Sequence, residues 1–395
     1  MRTALITWDY PPWPSGLSTA AGEIAEGLAA AGAEVTVFTL GRDATSREGG
    51  ITVVGCALPE GGRLATLRLW GAAGHLAAPI AFRNAVLAEH RRRPFDVVEA
   101  TNWYAPAAAL ALRAEMALVT RNSTPAAFSR DPATRLRDRL DAATADRLER
   151  FQARASDGLI SNTAEHARRI SAEYGLTDGA RPHAVIGLSL APATIRRGAQ
   201  AAYPGEDGPL RLLFVGRAEH RKGFDALMDA TAILSAEVAA GTLPPFALRL
   251  AGVEAEALPG GIGETARSFI QPLGTLSPSA LAEAYADAHA VVAPSRYESF
   301  GLVYQEAIAY GRPLVASNED ASARQFVGDT GAGSMASATT GPALADALRP
   351  VIADANLRAR LRAKAEAAAG RFTRETLGSE TAALYAAAMR RFQRR

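Results

Sequence analysis

The stretch Ala293–Pro294–Ser295–Arg296–Tyr297–Glu298–Ser299–Phe300–Gly301–Leu302–Val303–Tyr304–Gln305–Glu306 places two glutamates eight residues apart. An apolar strand candidate, Ala290–Ala293, precedes them. A helix-like run follows, then Gly311, Arg312, Pro313 and a second strand candidate, Leu314–Ser317. Glu298 therefore reads as a loop residue at a strand's C-terminal end, and Glu306 as a residue on the helix that the loop opens. The amides of Ser299, Phe300, Gly301 and Leu302 lie at the start of that helix. Helix N-termini leave N–H groups without intrahelical partners, which suits an anion. Carboxylates facing hydroxyls beside amides facing a phosphate fit a nucleotide-sugar ligand.

The same alternation of strands and helices extends in both directions. Upstream, Arg211–Gly216 reads as a strand, Phe224–Val238 as a helix, Phe246–Gly252 and Ile270–Gly274 as strands, and Pro278–Ala286 as a helix. Downstream, Gly341–Ala369 reads as helical, and a last helix spans 374–395 with a basic end at Arg390, Arg391, Arg394 and Arg395. That basic end reads as a solvated helix terminus.

The first half repeats the pattern. Thr3–Trp8 is a continuous apolar run of the kind buried in parallel sheets. A turn-rich loop leads to a helix at Ala20–Ala31, closed by Gly32, and a strand at Glu34–Leu40, which together form a βαβ unit. Further strands are expected at Ile51–Val54, Val97–Ala100, Ala117–Thr120, Leu159–Ser161 and His183–Ile186, with a charged helix at Asp138–Ala155. The segment 187–209, rich in proline and glycine, reads as irregular. The expected organisation is an N-terminal Rossmann-like domain over 1–190, a linker over 191–209 and a C-terminal Rossmann-like domain over 210–373. The helix 374–395 is expected to pack back on the first domain. Doubly wound α/β domains in tandem place a ligand where the strand C-termini of the two face each other across a cleft.

Composition restricts the function classes. At 395 residues the chain is long enough for two domains, and 48% hydrophobic content permits sizeable cores. The 43 basic and 41 acidic residues nearly cancel, so composition makes no case for nucleic acid. The one cysteine, Cys56, rules out an internal disulfide and fits a reducing, cytoplasmic setting, where it reads as a small buried residue. No apolar run reaches the roughly 18 residues a membrane helix needs. The first residues read directly as a strand, so no signal peptide is expected.

Three further motifs accompany the glutamate pair. Gly216–Arg217–Ala218–Glu219–His220–Arg221–Lys222–Gly223 follows a strand directly. Arg217 offers a planar fork of donors and Lys222 a compact cation, and together they can neutralise a diphosphate. His220 and Arg221 are expected to be exposed. The loop Tyr10–Pro11–Pro12–Trp13–Pro14–Ser15–Gly16–Leu17 is stiffened by proline, while Gly16 permits close approach of a ligand to the backbone. It lacks G-x-G-x-x-G, against an ordinary NAD site. The turn Pro272–Leu273–Gly274–Thr275–Leu276–Ser277 offers main-chain groups to a flat base, with Ser277 as a helix cap.

On these residues the chain resembles retaining glycosyltransferases of the GT-B fold, in the large glycosyltransferase family 4. The resemblance spans nearly the whole chain and is strongest over 210–333. It implies that Glu298 contacts the transferred sugar and Glu306 the ribose hydroxyls. It also implies that Arg217 and Lys222 hold the leaving diphosphate. Ser299, Phe300, Gly301 and Leu302 would meet sugar and phosphate through the backbone, Gly16 would lie against the phosphates, and Leu276 would hold the base. No protein nucleophile is expected, no cofactor and, in the absence of a D-x-D triad, no metal.

The chain departs from the family on the other side. Where H-x-H-D/E is common it reads Glu99–Ala100–Thr101–Asn102–Trp103, with Thr101 at the second histidine. Where T-x-H-D is common it reads Thr120–Arg121–Asn122–Ser123, and P-x-x-G-G appears as Pro14–Ser15–Gly16–Leu17. Thr101, Asn102, Trp103, Tyr104 and Asn122 are the acceptor-side candidates. His75, His90, His166, His183 and His289 fit no ligand spacing and read as structural or exposed. The expected activity is transfer of a sugar to a small-molecule acceptor, such as a secondary metabolite. Three alternatives stay open: a membrane-surface glycolipid transferase using Arg130, Arg135, Arg137 and Arg139, a group interrupted by Asp131, Asp138 and Asp141, together with the C-terminal arginines; a non-catalytic nucleotide-sugar-binding subunit; and a nucleotide-sugar epimerase.

Overall fold

A computed structural model describes all residues except 14, 43, 59–70, 131–134, 178 and 206. Pro14 and Asp131, singled out above, therefore lie outside the described residues. The chain divides into two compact units. The first holds Met1–Ser189 and Phe372–Arg395, and the second holds Leu190–Arg371.

The first unit is built on a sheet of eight described strands: β1 (Arg2–Thr7), β2 (Glu34–Thr39), β3 (Ser46–Glu48), β4 (Ile51–Gly55), β5 (Val97–Thr101), β6 (Ala117–Asn122), β7 (Gly158–Ser161) and β8 (His183–Val185). Their order is β3-β4-β2-β1-β5-β6-β7-β8. All neighbours are parallel except β3 and β4. β1, β5, β6 and β7 are buried along their whole length, as a parallel sheet covered on both faces requires. Ala4, Ile6, Val98, Ala100 and Leu118 from β1, β5 and β6 join Phe38, Phe82 and Val86 in one core, while Leu159 of β7 packs with Ala153, Ile170 and Tyr174.

The second unit carries six described strands, all parallel: β9 (Leu210–Val215), β10 (Phe246–Ala251), β11 (Ile270–Gly274), β12 (Ala290–Ala293), β13 (Leu314–Ser317) and β14 (Gly333–Ala336), in the order β11-β10-β9-β12-β13-β14. Leu212, Phe214, Leu248, Val292, Leu344 and Val351 lie in its core.

The last helix, Arg374–Phe392, lies in the first unit against the helix Gly16–Ala30. The approach is close enough that a Cβ on Gly378 would sit 2.0 Å from the Gly27 carbonyl oxygen. Arg374 Nη2 reaches the buried Glu23 Oε1 at 2.5 Å.

Several elements differ from expectation. The segment read as irregular holds a helix, Pro192–Gln200. Pro192 stands at its first turn, where proline is favoured, and Gly198 lets it press against the Ala309 carbonyl, to which a Cβ would come within 2.3 Å. Both residues signal packing there rather than interruption. The first helix begins at Gly16 rather than Ala20 because Ser15 caps it, accepting a bond from the Ser18 amide. β3 and β14 were not expected. β3 is polar and largely exposed. β14 (Gly333–Ala336) has no branched or aromatic residue, and its Gly333 lies against Leu314, whose carbonyl oxygen a Cβ would approach to 2.3 Å.

Candidate functional site

In the second sheet the order reverses between β9 and β12. From β9 the chain continues to β10 on one side, and from β12 to β13 on the other. The loops leaving these two strands therefore diverge at a topological switch point, the place where open α/β sheets bind ligands. Arg217–Gly223 is the first of these loops and Pro294–Gly301 the second.

The two loops are fastened together. Gly223 takes a left-handed conformation (φ 69°), and a Cβ there would fall 2.1 Å from the Pro294 carbonyl oxygen, so the position requires glycine. The Arg296 amide donates to the Arg221 carbonyl at 2.8 Å, and its guanidinium meets both Asp225 oxygens at 2.7 and 2.9 Å. This fastening brings charged side chains from one loop onto a carboxylate of the other. Lys222 Nζ lies 2.5 Å from Glu298 Oε1, and Arg221 Nη1 lies 3.3 Å from Glu298 Oε2. Ser295 Oγ donates to Glu298 Oε1 at 2.8 Å.

Glu298 is 8% exposed. Burial pushes its acidity constant up, but the charges of Lys222 and Arg221 outweigh burial and hold it below the ordinary value, so it is ionised. Its backbone is also fixed: the amide donates to Asp320 Oδ1 at 2.9 Å, and its carbonyl accepts from Ser322 Oγ at 3.0 Å. Asp320 itself, buried and facing Glu298, is raised to about 6, with burial the larger cause.

Arg217 behaves differently from Lys222. Its side chain is 73% exposed and pairs with Glu219 at 2.8 Å. Glu219 also meets Arg221 at 3.3 Å, so acids and bases alternate through Arg217, Glu219, Arg221, Glu298 and Lys222. Arg221 was expected to be exposed. Its side chain is only 13% exposed, because the short helical turn His220–Lys222 directs it at Tyr297 O and Glu298. His220 is exposed as expected.

After Glu298, Phe300 is buried edge-on against Phe326 at 5.0 Å between ring centroids. Gly301 is left-handed (φ 82°), and the Tyr304 ring would lie 2.4 Å from a Cβ there. Ser299 and Gly301 thus lead into the helix Leu302–Ala309, whose first-turn amides have no carbonyl behind them within the helix. Glu306 on this helix accepts from Tyr285 Oη at 2.6 Å, and burial raises its acidity constant. Leu276 is half-buried in the turn after β11, directly before the Ser277 cap.

The first sheet reverses between β1 and β5. Gly16 is exposed at the start of the helix that follows the β1 loop, with open space where a Cβ would be. After β5 come Thr101, Asn102, Trp103 and Tyr104. Thr101 Oγ1 bonds Ser123 Oγ at 2.9 Å. Asn102 is fully buried, donating to Tyr174 Oη at 2.7 Å and accepting from the Ser123 amide at 2.6 Å. Asn122 is also buried, donating to Ser161 Oγ at 3.0 Å. Both amides are engaged inside the domain. The half-exposed aromatics remain: Trp8 donates to Trp103 O at 2.7 Å, Trp103 meets Tyr104 edge-on at 4.9 Å, and Tyr104 stacks on His75 at 5.3 Å.

The other histidines are engaged structurally. His90 Nδ1 accepts from the Phe95 amide, His289 Nδ1 from the Arg211 amide, His183 bonds Ser161, and buried His166 bonds the Asn122 carbonyl. Among the described residues no group of three His, Cys, Asp or Glu side chains could hold a metal ion. No helix of the described residues is long and apolar enough to cross a membrane. Arg221, Asp320 and the aromatic partner His75 were not among the expected site residues. Arg221 had a signal in its position beside Lys222, and Asp320 in following another strand of the same sheet. Nothing local to His75 announced it.

The arrangement in the second unit can hold an anion beside a fixed carboxylate, with cations and helix amides at hand. The family profile described as "Glycosyl transferases group 1" matches residues 199–368, and that of the "Glycosyl transferase 4-like domain" matches residues 15–188. The chain is 30% identical to the glycogen synthase of Mycobacterium tuberculosis, over 99% of this chain and 95% of that protein. It is 35% identical to the D-inositol 3-phosphate glycosyltransferase of Xylanimonas cellulosilytica, over 60% of this chain and 58% of that one. Among solved structures it resembles the sucrose-phosphate synthase of Thermosynechococcus elongatus, with a TM-score of 0.73, 21% identity and 98% of each chain covered. It also resembles a trehalose-6-phosphate structure from E. coli bound with UDP-2-fluoro glucose, with a TM-score of 0.70, 14% identity, and 98% of this chain and 99% of that one covered.

Proposed function

The chain belongs to the glycosyl transferases group 1 family and has the GT-B fold; from that premise we propose that it transfers a sugar from a nucleotide-diphosphate sugar to a small-molecule acceptor, with retention of configuration and without a metal. The observation that carries this reading is Glu298, ionised and immobilised at the switch point of the second sheet by Lys222 and Arg221. A buried carboxylate held this way can accept hydrogen bonds from sugar hydroxyls without reorganising. Lys222 lies beside it. Arg217, exposed and held among the described residues by Glu219 alone, can swing to a phosphate at the cost of one surface ion pair.

In the proposed reaction the bond from the anomeric carbon to the phosphate oxygen breaks with oxocarbenium character. The acceptor oxygen bonds the anomeric carbon on the same face, and its proton passes to the leaving phosphate oxygen. No protein nucleophile is needed. Arg217, Lys222 and the amides of Ser299, Phe300, Gly301 and Leu302 stabilise the charge that develops on the diphosphate. Glu306 holds the ribose, Leu276 the base, and Gly16 allows the phosphates close to the backbone. Thr101, Trp103 and Tyr104 serve the acceptor side, and Asn102 and Asn122 support it from within.

The test incubates the chain with UDP-glucose, ADP-glucose, GDP-mannose and UDP-N-acetylglucosamine, alone and with a panel of polyols, sugar phosphates and phenolic glycoside acceptors. Slow release of nucleoside diphosphate, faster with one acceptor, is the expected result. The anomeric proton coupling of the product reports retention. An inverted product refutes the retaining mechanism, a new nucleotide sugar indicates epimerisation, and tight binding without turnover indicates a non-catalytic subunit.

A further inference from the structure

The turn after β5 has an unusual backbone. Tyr104 (φ 52°) and Ala105 (φ 44°) are consecutive non-glycine residues in the left-handed region. Each costs of order 1 kcal/mol or more and persists only where the surroundings over-determine it.

The surroundings here are one face of the helix Leu136–Ala155. Glu149 and Gln152, three residues apart on that face, are both buried and both point at the turn. Glu149 Oε1 accepts the Tyr104 amide at 2.8 Å and the Ala126 amide at 3.2 Å, while Oε2 accepts from Tyr174 Oη at 2.8 Å. Gln152 Oε1 accepts the Ala107 amide at 2.8 Å, and its Nε2 donates to the Thr101 carbonyl at 2.9 Å. Tyr174 also receives the Asn102 amide. The chain from Thr101 to Ala107 is thus held at four points, and the side chains carried on the held turn are the aromatics Trp103 and Tyr104.

We propose that Glu149 is a positioning residue: its buried carboxylate fixes the Tyr104–Ala105 turn and thereby orients the Trp103 and Tyr104 rings on the acceptor side, in a manner that changes when the carboxylate gains a proton. The assignment of this turn to the acceptor rests on the function proposed above; the coupling of Glu149 to the turn does not. The geometry gives the reason. An ionised carboxylate can accept from Tyr104, Ala126 and Tyr174 together, whereas a protonated one must place a hydrogen on one oxygen. On Oε1 the proton opposes the Tyr104 and Ala126 amides, neither of which can turn away; on Oε2 it forces the Tyr174 hydroxyl to turn from donor to acceptor, on an oxygen that already accepts from Asn102.

Among the described residues the charged and titratable groups around Glu149 are few; His75, paired with Asp141 of the same helix at 3.1 Å, stacks on the Tyr104 ring. Tyr104 and Tyr174 face Glu149 directly. Asp146, on the same helix, raises its acidity constant and is itself paired with Arg130, whose charge also reaches Glu149. Burial is the largest influence and moves Glu149 up to about 7, inside the range where a cell's pH varies.

The test uses the full chain labelled with 5-fluorotryptophan. The Trp103 fluorine line is assigned by its loss in Trp103→Phe. In the wild type that line should move between pH 5.5 and 8.5 with a midpoint near 7, the value to which burial brings Glu149. In Glu149→Gln, which keeps the shape but cannot ionise, it should stay still. A Trp103 line that is static in the wild type, or that titrates identically in Glu149→Gln, overturns the proposal. Should Glu149→Gln not fold, Glu149→Asp replaces it, with a displaced midpoint expected and an unchanged one overturning. Because no sugar takes part, a chain that fails every transfer assay can still pass this test, and the reverse.

Discussion

Replacing Lys222 and Arg217 by alanine, one at a time, separates two roles that the sequence alone makes look alike. The Lys222 side chain is 18% exposed and stands 2.5 Å from Glu298, which is 8% exposed. Removing one member of a buried pair costs about 3–5 kcal/mol when the other charge is stranded. Glu298 is not stranded, because Arg221 Nη1 at 3.3 Å and Ser295 Oγ at 2.8 Å remain. We therefore expect Lys222→Ala to cost about 1–2 kcal/mol, which lowers the melting temperature by roughly 2–8 °C for a unit of this size. Arg217, 73% exposed in a surface pair with Glu219, should cost less than about 0.5 kcal/mol. Both should lower turnover at saturating donor by about 100-fold or more, as losing a charge donor to the leaving group does. The pH dependence differs too. The folded-state acidity constant of Glu298 lies below its ordinary value, so the pair's stability is complete above pH about 4.5 and is lost as pH falls through the lowered value. Without Lys222, burial opposes ionisation more freely, and acid unfolding should begin at higher pH. Calorimetric melting and nucleoside diphosphate release on the same preparations decide the matter. Equal losses of stability in the two variants, or normal turnover in either, refute the reasoning.

Four other outcomes are expected. Turnover should persist in excess EDTA; its abolition by chelator and recovery with magnesium refute the cation-based account. Gly301→Ala should cost about 1–3 kcal/mol and weaken donor binding, since φ is 82° and the Tyr304 ring would lie 2.4 Å from the new methyl; unchanged melting and donor affinity refute this. Gly378→Ala should destabilise by at least as much, its methyl falling 2.0 Å from the Gly27 carbonyl oxygen, and melting reads it. Glu149 carries an acidity constant raised to about 7, so the folded state binds the extra proton and stability should fall as pH rises from about 4.5 to 7. His166, lowered to about 4 chiefly by burial, acts oppositely, its contribution being present above pH about 6.5 and lost as pH falls towards 4. Urea unfolding of Glu149→Gln should thus show stability rising from pH 4.5 to 6.5 more steeply than in the wild type; parallel profiles refute this.

Much of the fold was legible in the chain because parallel strands are buried on both faces and read as unbroken apolar runs. Ala290–Ala293 and Leu314–Ser317 are buried at every residue and were placed at their observed bounds. What escaped were elements whose pairing is set by neighbours: Ser46–Glu48 is a strand because Ile51–Gly55 lies beside it, and Gly333–Ala336 because Leu314–Ser317 does. Proline and glycine misled at 192 and 198, where one starts a helix and the other makes room for it. In the candidate site, residue types at strand ends pointed to the Arg217–Lys222 loop and to Glu298, but not to their pairing. That Lys222 and Arg221, and not Arg217, seize Glu298 depends on the left-handed Gly223 and on Arg296 tying one loop to the other. Neither is visible as a spacing.

The chain leaves the first unit after Ser189 and re-enters it only at Phe372. A ribosome making this protein therefore finishes the whole second unit before it delivers the helix that covers Gly16–Ala30. For the time it takes to synthesise about 200 residues, some tens of seconds at ordinary elongation rates, Glu23 lacks Arg374 and the face around Gly27 lies bare. Because Gly378 and Gly27 meet backbone to backbone, no larger-residue helix from elsewhere can fill the gap by approximation. In chains cut short before residue 372 the face around Gly27 stays uncovered and Glu23 stays without Arg374.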